Sequence, residues 1–228
     1  MGIDNDYLTW AKNPFEFSEI ALESFLKIDT DKKIKVIRGN FHSLSRPIDN
    51  DTMERNFLST HCKPGNWIIQ IDADETFLNG NEFIKFMTEN EEVVSGCAIK
   101  AHWITVFKSF DKNKYLVIDG NCDTDGRIFI GTQISNSYTI CRNTDQTAIQ
   151  SPLKLLHMSW GRTKSELKKK LENWGHSTDF NTNSFLEMWD TVTLDNYGEY
   201  KNLHPLNGPD WPKLKRLDLD EIINKHKK

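Results

Sequence analysis

Residues 67–75 read Trp-Ile-Ile-Gln-Ile-Asp-Ala-Asp-Glu, and this stretch decides how the whole chain is interpreted. Its apolar half is rich in β-branched side chains and follows a Pro-Gly-Asn turn, which together predict a buried strand. Because burying three unpaired carboxylates is costly, Asp72, Asp74 and Glu75 are expected where the strand emerges at a sheet edge. Alternation along an extended chain would place Asp72 and Asp74 on the same side of it.

Two aspartates that converge at a sheet edge predict a site for a hard divalent cation that also holds phosphate oxygens. Ligands of open α/β sheets collect at the carboxyl ends of the strands. The alternative is an acidic turn without function, which is the commoner meaning of an isolated Asp-x-Asp. Here the hydrophobic run before the pair and the glutamate after it favour the functional interpretation.

The composition narrows the class of protein. The chain has 228 residues and a formal net charge of −4, which gives no reason to expect a nucleic-acid partner. Its four cysteines are widely spaced and form no Cys-x-x-Cys pair, which argues against a zinc knuckle or a disulfide framework and predicts reduced thiols in a cytoplasmic protein. No apolar stretch reaches the length of a transmembrane helix.

Hydrophobic periodicity predicts strands alternating with helices, followed by a cluster of short strands. This order indicates an α/β or mixed sheet rather than a helix bundle. Helices are predicted at residues 16–26, 53–61, 82–89, 163–175, 180–189 and 214–225. Strands are predicted at residues 32–38, 67–71, 93–106, 114–118, 127–130, 138–141 and 153–158. The clearest local signal is the capping box from Thr163 to Glu166.

A second informative stretch, residues 155–177, reads LLHMSWGRTKSELKKKLENWGHS. His157 ends an apolar strand just before a helix, where a histidine is more often a satisfied core or turn residue than a ligand. Arg162, at the helix start, can reach a phosphate beside the backbone donors. His176 is best explained as a cation at the helix C-terminus. The three lysines at residues 168–170 are typical of a solvated helix face.

Both stretches resemble segments of one enzyme family. Residues 72–75, preceded by Trp-Ile-Ile and, one helix upstream, by Arg55-Asn56, resemble a segment of the family-2-type glycosyltransferases. The His-Met-Ser-Trp turn at residues 157–160, followed by a lysine-rich helix ending in Trp-Gly-His, resembles a later segment of the same GT-A group. The two segments have the order and separation seen in that group, and the resemblance covers residues 32–179.

The resemblance implies an α/β fold with a GT-A-like, mixed and mostly parallel sheet flanked by helices. The chain is expected to form a single GT-A-like domain over residues 1–228, with a helical and loop extension from about residue 180. The GT-A pattern normally begins with an apolar strand, and none precedes residues 2–6. The first strand is therefore expected to be missing, and residues 2–6 to represent a remnant of the second strand.

The resemblance also implies a nucleotide-diphosphate sugar donor and a bridging Mn²⁺ or Mg²⁺ ion. Asp74 corresponds to the aspartate that binds the metal, and His157 is the matching candidate for a further ligand. Asp72 would face the ribose or a water on the metal. The weaker candidates for phosphate contact are Arg55, Lys154 and Arg162.

Transfer of the sugar to a glycan or another hydroxyl acceptor needs a base if the enzyme is inverting. The predicted candidates are Asp119, which is nearest a strand end, and Glu75, while the loop residues Asp123 and Asp125 remain alternatives. Trp103 and His102 are predicted to stack on an acceptor sugar, and the alternative is that they are core or edge aromatics.

Two rival functions remain. One is a metal-dependent phosphohydrolase that uses the same carboxylates, although such a site usually needs more His and Asp ligands than the sequence offers. The other is a truncated, non-catalytic domain that binds carbohydrate or a nucleotide sugar.

Overall fold

A computed structural model describes residues 2–4, 19–90, 96–111, 113–120, 126–174 and 176–220. The α-helices are α1 Glu19–Leu26, α2 Pro47–Ser59, α3 Gly80–Glu89, α4 Lys164–Asn173 and α5 Thr182–Thr191. The strands are β1 Gly2–Asp4, β2 Ile37–Gly39, β3 Ile68–Ile69, β4 Glu75–Phe77, β5 Ala98–Ser109, β6 Lys114–Asp119, β7 Arg127–Thr132, β8 Tyr138–Ile140, β9 Asn143–Thr144, β10 Ala148–His157 and β11 Lys213–Asp218. Short 3₁₀ helices lie at Tyr197–Glu199 and Gly208–Asp210.

The main sheet has seven strands and is organised around the long strand β5. One edge of β5 pairs in parallel with β10, and the other edge pairs antiparallel with β7 and then with β6. The order is β11-β6-β5-β10-β4, and β3 joins the sheet through β7. Helices flank this mixed sheet, so the α/β class is confirmed.

The expectation of a mostly parallel sheet is wrong. Within the seven strands only β5 and β10 run parallel, and the other pairs are antiparallel. The physical reason is visible at β5 and β6, which are joined by a connection too short for the crossover that parallel strands require. Strand periodicity predicts where strands lie but not which way their neighbours run.

Strand β1 pairs in parallel with β2 in a separate two-stranded sheet. The segment that the sequence marked as a remnant strand therefore includes a short strand at Gly2–Asp4. Residues 5 and 6 of that prediction lie outside the described part of the chain.

The predicted helix at residues 214–225 is wrong over its first part. Lys213–Asp218 forms a strand that pairs antiparallel with β6. Leu214 is buried while its neighbours Lys213 and Lys215 are exposed, which is the alternation of a strand at the edge of a sheet. Residues 221–225 lie outside the described residues.

The buried side chains of the core form three clusters around the sheet. The largest joins Phe107 and Leu116 of the sheet to Leu167 and Leu171 of α4 and Trp189 of α5. A second cluster packs β5 and β10 against α3, and the third lies around Val106 and Leu156. Among the described helices, none has both the length and the apolar character needed to cross a lipid bilayer.

Candidate functional site

The three acidic residues after β3 lie in a tight turn, which we call the acidic turn (residues 72–75). The backbone N–H of Glu75 donates to the carbonyl of Asp72 at 2.9 Å, and the N–H of Asp72 donates to Oε2 of Glu75 at 3.0 Å. The sequence predicted an extended chain here, and this prediction is wrong because the residues form a turn. As a result, Asp72 and Asp74 contact different sets of cations.

Pairing of β4 with β10 brings His157 to the acidic turn. His157 lies opposite Glu75 in the antiparallel register, and the N–H of Met158 donates to the carbonyl of Asp74 at 2.8 Å. These contacts place Nε2 of His157 3.6 Å from Oδ1 of Asp74. Two residues that are remote in sequence, one from each of the two motifs, thus lie close together.

The imidazole of His157 is largely buried. It stacks on the ring of Trp103 with 4.2 Å between centroids, and its Nδ1 is buried without a hydrogen-bond partner among the described residues. Burial lowers the pKa of His157 to about 4, although the charge of Asp74 acts in the opposite direction. At neutral pH the ring is therefore uncharged, which is the form that binds metal ions.

Two cations contact Asp74 on its other side. Nη2 of Arg162 donates to Oδ2 at 2.9 Å, and Nζ of Lys170 lies 3.8 Å from the same oxygen. Lys170 also donates to the carbonyl of Ser159 at 3.1 Å and to its hydroxyl oxygen. Burial lowers the pKa of Lys170 to about 8, against the attraction of Asp74.

Lys170 is a site residue that the sequence interpretation missed. The run of lysines was assigned as a whole to a solvated face, and Lys168 and Lys169 are indeed exposed. Lys170 follows the buried Leu167 by three residues and precedes Trp174 by four. This helical spacing was the available signal that one lysine of the three faces inward.

A second group of charges holds Asp72. Arg55 donates to Oδ1 of Asp72 at 2.9 Å, and Arg142 donates to Oδ2. Arg55 also donates to Asp51 at 2.9 Å and to Gln70 at 3.0 Å. Burial by itself raises the pKa of Asp72, but the two guanidinium groups outweigh it and hold the pKa below its usual range.

Arg142 also neutralises the buried carboxylate of Glu75. Its guanidinium donates to both carboxylate oxygens of Glu75, at 3.0 and 3.1 Å, and Nε1 of Trp103 donates to Oε1 at 2.9 Å. The side chain of Glu75 has no exposed surface. Arg142 comes from the short hairpin of β8 and β9, where no motif marks it in the sequence. The contacts of Glu75 support the shape of the acidic turn.

The structure does not bring Asp119 to the acidic turn. It ends β6, two strands away from β10, which corresponds to on the order of 10 Å at the usual strand spacing. Its carboxylate accepts from Lys215 at 2.9 Å and lies 3.2 Å from Lys213. The hydrogen bond from Lys215 is the main cause that lowers the pKa of Asp119.

The remaining predicted site residues are spread over both faces of the sheet. Trp103 is partly buried against His157, whereas His102, its neighbour on β5, projects from the opposite face. Lys154 is exposed and lies three positions before His157 on β10, so it also projects from the face opposite to His157. Lys154 and His102 therefore do not join the cluster around Asp74.

A cleft of about 360 Å³ opens beside the acidic turn. Its volume lies within the range of small-molecule sites. The lining residues are Ala73, Asp74, Glu75, Thr76, Met158, Gly161, Arg162 and Glu166. A Cβ atom at Gly161 would lie 2.5 Å from Cγ1 of Val106, so glycine is what allows the turn after β10 to lie directly on β5.

The chemistry of the cluster fits a divalent cation that shares its ligands with a substrate. Among the residues that the structure describes, no group of three or more His, Cys, Asp or Glu side chains is arranged to hold a metal ion. Asp74 and a neutral His157 offer two donors, and Mg²⁺ commonly takes one or two carboxylates together with substrate phosphates. Asp72 fits less well, because each of its oxygens already accepts a hydrogen bond from a guanidinium group.

Comparison with known proteins does not identify a family for this chain. No protein-family model matches the chain, and no curated protein matches it significantly in sequence.

Proposed function

We propose that the protein is a metal-dependent glycosyltransferase of GT-A type that moves a sugar from a nucleotide-diphosphate donor to a glycan or another hydroxyl acceptor. The observation that carries the proposal is the meeting of Asp74 and His157, 3.6 Å apart, beside Arg162 and the cleft. The two residues come from the two motifs that resemble glycosyltransferase segments, and an acidic turn without function gives no reason for them to meet.

The proposed reaction requires charge stabilisation more than covalent chemistry. The bond between the anomeric carbon and the diphosphate oxygen breaks, and the diphosphate leaves with the electron pair. A Mn²⁺ or Mg²⁺ ion held by Asp74 and His157 would supply positive charge for that leaving group. Arg162, which lines the cleft, binds a phosphate oxygen, and Lys170 adds a second fixed positive charge beside it.

The acceptor oxygen forms the new bond to the anomeric carbon and gives up its proton to a base. Glu75 has no exposed side-chain surface, and Asp119 is paired with two lysines on the far side of β5. Assignment of either residue as the base stays a prediction from sequence.

A second candidate function follows from this placement of the acids. A domain that binds a nucleotide sugar without transferring it needs the cluster around Asp74 but no base at the cleft. The two functions are separated by donor hydrolysis, since an active transferase slowly transfers the sugar to water when no acceptor is present.

The test is titration calorimetry with UDP-, GDP- and dTDP-sugars, with and without Mn²⁺, on the wild-type chain and on Asp74→Asn. We expect at least one donor to bind in a Mn²⁺-dependent way and to be hydrolysed slowly. The variant should lose the Mn²⁺-dependent part of binding, with turnover lower by about 10²–10³-fold. Asp190→Asn is the matched control. Asp190 lies on α5, and its exposed carboxylate forms an ion pair with Lys164 of α4.

Three outcomes would refute the transferase. Release of inorganic phosphate would indicate the phosphohydrolase. Binding of free glycans without nucleotide sugars would indicate a carbohydrate-binding domain. Donor binding without hydrolysis or transfer to any tested acceptor would leave the non-catalytic nucleotide-sugar domain.

A further inference from the structure

The carboxylate of Asp74 is already neutralised by the protein itself. Its Oδ2 accepts from Arg162 at 2.9 Å and has the ammonium group of Lys170 at 3.8 Å. A divalent cation placed at Asp74 alone would lie next to two positive charges. Coulomb repulsion over such distances is strong in a partly buried site, because solvent screens it only weakly.

The two cations differ in how firmly they are held. Lys170 donates to two atoms of Ser159 and lies 5.5 Å from the ring centroid of Trp160, so its position is fixed by several contacts. Apart from its bond to Asp74, Arg162 donates one hydrogen bond within the described part of the chain, from its Nε to the carbonyl of Ser159 at 3.1 Å. Its side chain is 34% exposed and lines the cleft. Of the two, Arg162 is therefore the one that can leave Asp74 by rotating its side chain into the cleft.

We propose that Arg162 is an exchangeable counterion, which holds Asp74 in the free protein and turns to a phosphate oxygen when a diphosphate and its divalent cation bind together. Lys170 keeps its place and serves both states. The inference rests on the proposed function, since it takes a diphosphate as the ligand of the cleft. It extends that function by making Arg162 the residue that couples the two binding events.

Coupling of this kind has a definite signature. The cation alone binds weakly because Arg162 competes with it for Asp74. The diphosphate alone binds weakly because Arg162 is engaged elsewhere. When one ligand is bound, Arg162 no longer opposes binding of the other. Each ligand therefore raises the affinity for the other by the same factor.

The experiment uses Mn²⁺ alone and inorganic pyrophosphate with Mn²⁺, so that it does not depend on the donor base. Free Mn²⁺ is measured by electron paramagnetic resonance, and pyrophosphate binding is measured by calorimetry on the full chain. For Arg162→Gln we expect Mn²⁺ alone to bind about tenfold more tightly and pyrophosphate with Mn²⁺ to bind about tenfold more weakly. These opposite changes are what a merely structural role would not produce.

Two further variants make the result interpretable. Arg162→Lys keeps the positive charge and should recover most of both changes. Lys168→Gln removes one positive charge from an exposed position on the same helix, and both affinities should stay within about twofold of the wild type.

The proposed movement of Arg162 from Asp74 to a phosphate is refuted if Arg162→Gln weakens Mn²⁺ binding, or if it leaves pyrophosphate binding unchanged. If either result appears while the wild type still binds nucleotide sugars with Mn²⁺, the exchange fails and the transferase stands. If the wild type binds neither Mn²⁺-pyrophosphate nor any nucleotide sugar, both fail together.

Discussion

Arg142 is the residue on which the acidic turn depends most. Its side chain is only 9% exposed, and it bonds Asp72 and the fully buried Glu75. Arg142→Gln would leave a buried carboxylate without its cation, and we expect the free energy of unfolding to fall by about 3–5 kcal/mol. Urea denaturation measures this change.

The control for Arg142 is Arg46→Gln, which removes an exposed ion pair with Asp49 at the start of α2. Solvent screens an exposed pair of this kind, so this variant should unfold nearly as the wild type does. Adding Glu75→Gln to the Arg142 variant should recover part of the loss, because the unpaired charge is gone. Equal losses in the two arginine variants would show that Arg142 does not hold a buried charge.

His157 gives the molecule a pH dependence with a defined sign. Its pKa is about 4 in the folded protein against 6.5 for an unperturbed histidine, so the unfolded chain binds more protons between these values. Its contribution to stability is therefore complete above pH 6.5 and is lost as the pH falls from 6.5 to 4. The shift corresponds to a loss of about 3 kcal/mol.

The measurement is chemical denaturation of the wild type and of His157→Gln at several pH values between 4 and 7. We expect the wild type to lose stability over this range relative to the variant. Asp72, whose pKa is also lowered, titrates below this window, and Lys170 titrates above it. Parallel pH profiles for the two proteins would contradict the burial of a neutral imidazole.

At this scale the sequence predicted the residues that carry motifs and missed the residues that support them. Asp74 and His157 belong to recognisable stretches, and the structure brings them together. Arg142 and Lys170 are as close to the carboxylates, but one lies in a hairpin without pattern and the other in a run of lysines. The role of Arg142 comes from pairing between distant parts of the chain, which a local pattern does not encode. The inward position of Lys170 could have been predicted from its helical spacing to Leu167 and Trp174.

At the scale of the secondary-structure elements, helix α4 determines the position of Lys170. The helix begins with a complete capping box, in which Thr163 accepts from the N–H of Glu166 and Glu166 accepts from the N–H of Thr163. Thr163→Ala should lower the free energy of unfolding by about 1 kcal/mol. Thermal denaturation checks this, with Lys168→Ala as a control that changes an exposed interior position of the same helix. A cap variant as stable as the wild type would show that packing alone starts the helix.

The capping signal of a helix is a more accurate predictor than any signal for the partner of a strand. The capping box at Thr163 is confirmed, because such a cap is decided by residues that are neighbours in sequence. Helix α2 begins at Pro47, several residues before its predicted start, and proline in the first turn was the signal that went unused. The strand Lys213–Asp218 was mistaken for a helix because its pairing with β6 is a contact between distant parts of the chain.

At the scale of the whole molecule, the topology of the sheet could not be predicted from the sequence. Strand β5 uses one edge for β10 and divides the other between β7 and β6. Apolar alternation predicts that a strand is half-buried, but the direction of its partner depends on the path of the connecting chain. The site nevertheless forms, because only the single antiparallel pairing of β4 with β10 is needed to join the two motifs.

One lysine connects the end of α5 to the central strand of the sheet. Nζ of Lys108, on β5, donates to the carbonyls of Trp189, Asp190 and Val192 at the end of α5, at 2.7–2.9 Å. In return, Nε1 of Trp189 donates to the carbonyl of Phe107 at 2.7 Å. Helix α5 shares its apolar cluster with α4 and the sheet, so we expect the segment after residue 180 to unfold together with the rest.

Lys108→Met tests this coupling, because it keeps the length of the side chain and removes the donor to three helix-end carbonyls. We expect a loss of about 1–3 kcal/mol, the cost of leaving partly buried acceptors unsatisfied. Tryptophan fluorescence and far-ultraviolet circular dichroism should still report one common transition. Lys114→Met, which removes an exposed ion pair at the start of the neighbouring strand, should leave stability nearly unchanged. If α5 unfolded first in the Lys108 variant, fluorescence would change before circular dichroism, and the C-terminal segment would have to be treated as a separate folding unit resting on the sheet.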